Sequence, residues 1–162
     1  MLKIRRFQSS DSETLWQLKF RTVRDVNIKD YSFEQVSVWC PNDYDEGAWL
    51  ARISKINPFV VEKNGVIAAY ADLQTSGHIE HFYCDKAYIG QGIGGYLMQH
   101  LLRTAKQKSI LILKSDVSIT AKPFFEHFGF VVLKPQVVRL NNVEMKNYLM
   151  QRNSESYNES NK

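Results

Sequence analysis

The chain has 162 residues, 44% of them apolar and 23% charged, with a formal net charge of +4. These values describe one soluble globular domain able to bury its own core, and they exclude a low-complexity or collagen-like chain. The mild positive balance suits an anionic ligand, but no block of Lys and Arg points to a nucleic-acid partner, and no apolar run approaches the length of a membrane span.

Met1-Leu2-Lys3-Ile4-Arg5-Arg6 has no apolar stretch behind its basic residues, so it does not read as a secretory signal, and a cytoplasmic protein is expected. Cys40 and Cys84 show no metal-ligand spacing and are expected to be reduced thiols. Leu2 to Phe7 reads as a first strand. Ser10 to Glu13 has the form of a capping box opening a helix, with Leu15, Trp16, Leu18, Val23 and Val26 on its apolar face. Ser32 to Gln35 is a second capping box, for a short helix that ends near Trp39. Asp45 caps a third helix over Glu46 to Lys55. Pro58 to Glu62 and Val66 to Leu73 form a hairpin around Asn64-Gly65. His78 to Cys84 follows as the third strand of an antiparallel meander.

The chain is organised around Tyr88 to Met98, where four glycines fall in six positions and lead into an amphipathic helix. Glycine is a poor helix residue, so this cluster calls for a reason. A helix start leaves its first N–H groups unpaired at the positive end of the macrodipole, and bare glycines let a bulky phosphate approach them. A glycine turn that only packs a helix closely on a sheet is the plainer alternative. Ile110 to Lys114 is a short strand after that helix, giving one β–α–β unit with a parallel pair. Thr120 opens a last helix with Pro123 in its first turn, Phe124 and Phe128 stacked, and Gly129 as its stop. Phe130 to Leu133 is a strand. Val137 to Leu140 and Val143 to Met150 form a hairpin around Asn141-Asn142. The domain is expected over 1–151, with a disordered tail over 152–162.

Three phosphate readings compete. A Walker loop needs Lys-Ser or Lys-Thr where Tyr96 and Leu97 stand, and it fails. Gly90, Gly92 and Gly95 match the G-x-G-x-x-G of NAD- or FAD-binding oxidoreductases, with Asp116 downstream. Yet Asp85 to Ile89 separates the preceding strand from the glycines, and only one β–α–β unit is offered. The third reading is a diphosphate at a helix start beside an antiparallel meander. Here the sequence resembles the GNAT superfamily of N-acetyltransferases. Phe82 to Asp85 with Gly90 to Gly94 is similar to its strand, loop and Q/R-x-x-G-x-G/A motif. Ala121 to Phe130 is similar to its A-x-x-F-Y-x-x-x-G-F block. The order of elements from Leu2 to Met150 looks like the whole fold: an α/β (α+β) single domain with a mixed central sheet and helices on both faces. Asp30-Tyr31-Ser32, Glu34-Gln35, Trp39 and Pro41 resemble a bacterial subgroup of the family. The chain departs from the motifs at Ile89, in place of the Gln or Arg, and at Phe125, in place of the frequent tyrosine acid.

The resemblance implies acetyl-CoA as cosubstrate, no metal, and transfer of an acetyl group to an amine. It implies that the strand at Phe82, Tyr83 and Cys84 splays from its neighbour to receive the pantetheine arm. The diphosphate would rest on Gly90, Gln91, Gly92, Ile93, Gly94 and Gly95, with Ser118 and Phe125 also at the coenzyme. His78, Glu80, Phe82 and Cys84 are expected on one face of a strand. Glu80 is the first candidate base, acting through a water, and His78 the second; His81 faces the other way. Tyr83 and Tyr148 are conceivable proton donors. Tyr31 and Trp39, amid acidic groups, suit an amine acceptor, small or peptidic. A monomer or homodimer is expected. Two other classes stay open: the dinucleotide oxidoreductase and a non-catalytic CoA-binding module.

Overall fold

A computed structural model of the protein describes residues 1–154. The order of elements is β1 (Leu2–Arg6), α1 (Ser12–Asp25), α2 (Phe33–Trp39), α3 (Glu46–Ile56), β2 (Phe59–Lys63) and β3 (Val66–Ala71). It continues with β4 (His78–Ile79), β5 (Phe82–Cys84), α4 (Ile93–Gln107), β6 (Ile112–Ser118), α5 (Lys122–His127), β7 (Val131–Leu140) and β8 (Val143–Asn153). The strands form two sheets, β1-β2-β3-β5 and β4-β6-β8-β7. Among the described residues β4 and β6 make the parallel pair, and the other paired strands run antiparallel. The doubly wound series that the dinucleotide reading requires is therefore not what these strands build.

The sheet is covered on both faces. Phe59, Val61, Ala69 and Ala71 pack with Ile93, Leu97, Met98, Leu101 and Ala105 of α4. Val60 and Tyr70, pointing the other way, pack with Leu15, Leu18 and Val23 of α1, Val36 of α2 and Ile53 of α3. Burial on both faces explains why Phe59-Val60-Val61 is a continuous apolar run instead of an alternating one.

Several local signals act as expected. Ser32 accepts from the Gln35 N–H at 3.1 Å while the Gln35 side chain accepts from the Ser32 N–H at 2.8 Å. Asp45 accepts from the Ala48 N–H at 2.9 Å and caps α3. Asn141 and Asn142 both take positive φ (46° and 65°), the left-handed pair a tight hairpin needs.

Others differ. The capping box at Ser10 to Glu13 does not form. A 3-10 turn over Ser9–Asp11 leads into α1, and the Asp11 carboxylate is taken by the Arg5 guanidinium (2.8 and 3.0 Å) and the Gln8 N–H (2.8 Å). The last helix begins at Lys122, two residues after Thr120, whose hydroxyl donates to Asp30 at 2.7 Å. β6 extends to Ser118 because it pairs with β8 along its whole length. β7 is one strand with a register shift between Val132 and Lys134, and its Pro135 is tolerated because β7 lies at a sheet edge. β8 continues past the expected boundary to Asn153, with Arg152 buried and donating to the Phe128 carbonyl at 2.7 Å. Residues 155–162 of the expected tail lie outside the described residues.

The difference that matters most is a break in the strand expected over His78 to Cys84. Its first two residues join β6, and its last three join β3. Asp72 holds the break open. Its carboxylate is fully buried and accepts from the backbone N–H groups of Glu80 (2.9 Å) and His81 (2.7 Å) and from the Gln74 amide (3.2 Å). Burial pushes its pKa up, against those hydrogen bonds. Asp72→Ala leaves two main-chain donors without their acceptor, and denaturant unfolding should show a loss of about 2 kcal/mol. An unchanged midpoint would show that the break holds without Asp72.

Candidate active site

The break splays β5 away from β6. β5 ends its sheet, bonded to β3 along one edge and to no described strand along the other. That free edge opens on a cleft of about 460 Å³, lined by Phe82, Tyr83 and Cys84 of β5, the start of α4, and Phe124 and Phe125 of α5.

The four glycines divide into two kinds. Gly90 and Gly92 have φ of 83° and 79°, and a Cβ at either would meet nothing within 4 Å. Both line the cleft, as do Gly94 and Gly95. Gly94 and Gly95 are ordinary helical residues, and a Cβ there would come within 3.3 Å of the rings of Phe124 and Phe128. So the first two shape an open mouth, while the second two let α4 pack on α5. The first helical hydrogen bond of α4 runs from the Tyr96 N–H to the Gly92 carbonyl at 3.0 Å. The N–H groups of Ile93, Gly94 and Gly95 precede it and have no acceptor within the helix. Gln91 folds back, donating to the Ala87 carbonyl at 3.3 Å and accepting from the Lys63 ammonium.

A second cleft of about 350 Å³ adjoins the first. Trp39, Glu80, Tyr83, Asp116 and Ser118 line both. Glu80 follows the strand break and pairs with Arg52 of α3 at 3.0 Å. The Tyr83 hydroxyl accepts from the Trp39 indole N–H at 3.2 Å, and burial pushes its pKa well up. Ser118 accepts from the Ala121 N–H at 3.0 Å and from the Asn27 amide at 3.4 Å, fixing the turn into α5. Tyr31 lines the second cleft, with its hydroxyl donating to the Lys146 carbonyl at 2.6 Å and accepting from the Ile119 N–H at 2.9 Å. Its ring stands edge-on to Trp39, 5.4 Å between centroids.

His78 precedes the break, lies on β4 and lines neither cleft, so the shared face expected for His78, Glu80, Phe82 and Cys84 does not exist. His81 is buried against Tyr70, 3.0 Å from its hydroxyl, and burial with the nearby Lys19 and Arg52 holds its pKa well below the usual value. Tyr148 lines neither cleft and sits under the Lys122 ammonium. Phe125 is buried among Phe82, Phe124 and Phe130. Cys40 and Cys84 are both free thiols.

Sequence reasoning missed Lys19 and Arg52, which enter the second cleft from α1 and α3. Lys19 had a signal: it falls on the apolar stripe of α1, between Trp16 and Val23. Arg52 had none, because only the packing of α3 brings it to Glu80. No described helix is long and apolar enough to cross a membrane.

This arrangement has counterparts. The chain is 28% identical over 149 residues to an uncharacterized N-acetyltransferase, YafP, of Escherichia coli (strain K12), covering 92% of this chain and 94% of that one. Its fold superposes with a TM-score of 0.88 on a GCN5-related N-acetyltransferase from Rhodopseudomonas palustris, described as an aminotransferase of class II. Identity there is 26%, with 93% and 94% of the two chains covered. The fold also matches the PaiA N-acetyltransferase of Thermoplasma acidophilum, solved in complex with coenzyme A. The TM-score is 0.73 at 16% identity, over 94% and 99% of the chains. The acetyltransferase (GNAT) domain family matches residues 27–151, the span that carries the broken strand, the glycine mouth and most of the lining of both clefts. The chain therefore belongs to the GNAT family and is an N-acetyltransferase.

Proposed function

We propose that the protein transfers the acetyl group of acetyl-CoA directly to a primary amine. The observation that carries this reading is the free edge of β5, lying between the mouth of α4 and a second cleft that shares Glu80 and Tyr83 with the first. A thioester arm laid along that edge would have its diphosphate on the N–H groups from Gly90 to Gly95 and its acetyl group at the junction. The coenzyme A bound by the PaiA enzyme supports the same ligand here.

The parts of the reaction follow from chemistry. The acceptor enters through the second cleft, against Tyr31 and Trp39. Glu80, through a water, takes a proton from its ammonium. The amine nitrogen bonds to the acetyl carbonyl carbon as the carbon–sulfur bond breaks, the electron pair leaves on sulfur, and the nitrogen gives its second proton to solvent. A backbone N–H of β5 polarises the carbonyl. Tyr83, which lines both clefts, would be the side chain to meet the sulfur. A thiol has a pKa near 8.5 and a phenol near 10, and burial raises Tyr83 further, so full proton transfer from it is uphill. Tyr83 therefore donates a hydrogen bond, and solvent supplies the proton. Tyr83→Phe should lower kcat about tenfold, the loss of one hydrogen bond of about 1.4 kcal/mol and below the range of general acid catalysis. A loss of a thousandfold would make Tyr83 the true acid.

The experiment that tests the reading is thiol release from acetyl-CoA against a broad panel of primary amines. Turnover with a subset of them is expected. Binding of NAD without binding of CoA would overturn it. Binding of acetyl-CoA with no thiol released by any amine would do the same for the transfer step.

A further inference from the structure

The second cleft contains a cation that the reaction does not use. Lys19 lies on the buried face of α1 and is 6% exposed. Its ammonium sits over three rings, 5.4 Å from the centroid of Trp49, 5.6 Å from Trp16 and 5.9 Å from Tyr83. No described carboxylate or carbonyl lies within hydrogen-bond or ion-pair distance of it. Glu80, the carboxylate that shares this cleft wall, is already engaged by Arg52. Among the described residues no fully buried side-chain polar atom lacks a partner, so the Lys19 ammonium is not fully enclosed, and Lys19 lines the cleft.

A lysine in that place needs an explanation. The rest of the buried stripe is Leu15, Trp16, Leu18, Thr22 and Val23, and a methionine at 19 would fill the same volume without removing a charge from water. Desolvation pushes the Lys19 pKa down, as burial of an unpaired cation must. Three ring faces within about 6 Å offset part of that penalty and favour the charged form. What the aromatic cage lacks is an anion. The other cations on the cleft, Arg52 and Lys146, add to the positive field, while Glu80 and Asp116 supply the negative side near the junction with the first cleft. Val38, Val138, Leu140 and Met145 form an apolar wall, beside the polar His81, Ser118 and Asn147.

We infer that Lys19 forms a carboxylate subsite in the acceptor cleft, so that the acceptor is a primary amine carrying both a carboxylate and an apolar body. This rests on the proposed acetyl transfer for calling the cleft the acceptor's, but not for the existence of the subsite. The acceptor's amine lies toward Glu80 and its carboxylate meets Lys19, which regains the anionic partner that burial denies it. The apolar wall takes the side chain. A diamine without an acid group would instead bring a second cation against Lys19 and Arg52 and be rejected.

The test uses the full chain, with and without CoA, titrated with 3-phenylpropionate and with its neutral amide, followed by tryptophan fluorescence and calorimetry. The acid is expected to bind at least tenfold more tightly than the amide. Lys19→Met should erase that preference while leaving the CoA dissociation constant unchanged. Equal affinity for acid and amide, or no saturable binding of the acid, overturns the subsite, as does a folded Lys19→Met protein that keeps the preference. The comparison of the two probes on the parent protein decides the matter even if the variant does not fold. Neither probe carries an amine, so the result is independent of the thiol-release screen. Failure of acetyl transfer and failure of the subsite therefore appear in different measurements.

Discussion

Gly92→Val is expected to weaken CoA binding about a hundredfold while the protein stays folded. Gly92 caps α4 in the left-handed region, at φ 79°. A β-branched residue there is strained by roughly 1–2 kcal/mol and relaxes by moving the loop. That movement takes the leading N–H groups of α4 off the diphosphate. A hydrogen bond to a charged group contributes about 1.5–3 kcal/mol, so losing one or two gives the hundredfold. The valine side chain would also enter space that is open in the structure, on the wall of the cleft. Gly95→Ala is the control. Its Cβ would meet the Phe128 ring at 3.3 Å, so it should lower the melting temperature slightly and leave CoA affinity within about threefold. Calorimetric titration with CoA, beside circular dichroism on both variants, checks the pair. An unchanged Gly92→Val dissociation constant would move the diphosphate elsewhere.

Glu80→Gln should reduce kcat by about a thousandfold, within the range for removal of a general base, and leave the CoA dissociation constant near its original value. The amide keeps the shape of the carboxylate, and its oxygen still accepts from Arg52, so the junction of the two clefts is preserved. Only the capacity to take a proton is lost. Single-turnover thiol release separates this from an acceptor-binding effect. Turnover equal to the parent's would rule Glu80 out. His78→Ala serves as the contrast: His78 lines neither cleft, so its turnover should stay within about threefold.

The parts of the structure that were legible in the sequence are those decided within a few residues. Ser32 and Asp45 cap their helices because a short side chain can reach an N–H three residues on. Asn64-Gly65 and Asn141-Asn142 turn because these residues tolerate positive φ. The glycine mouth was legible for the same reason, although its division into two open and two packed glycines was not. That division needs Phe124 and Phe128, some thirty residues away. The capping box at Ser10 to Glu13 fails for a nearer reason: a 3-10 turn over Ser9–Asp11 takes its place, with Asp11 held by Arg5 of β1, 6 residues away along the chain.

By itself the sequence determined the order of elements, the apolar stripe of α4, the glycines that free its leading N–H groups, and the two motif blocks on which the family rests. Each is a matter of local conformation or of period along one helix or strand. The tertiary structure alone decided that the third strand breaks at Glu80, that Asp72 holds it broken, and that His78 is left outside. It alone brought Lys19 and Arg52 into the cleft beside Glu80. Main-chain donors and charges find their partners across the fold, and no spacing along the chain records which partner is near.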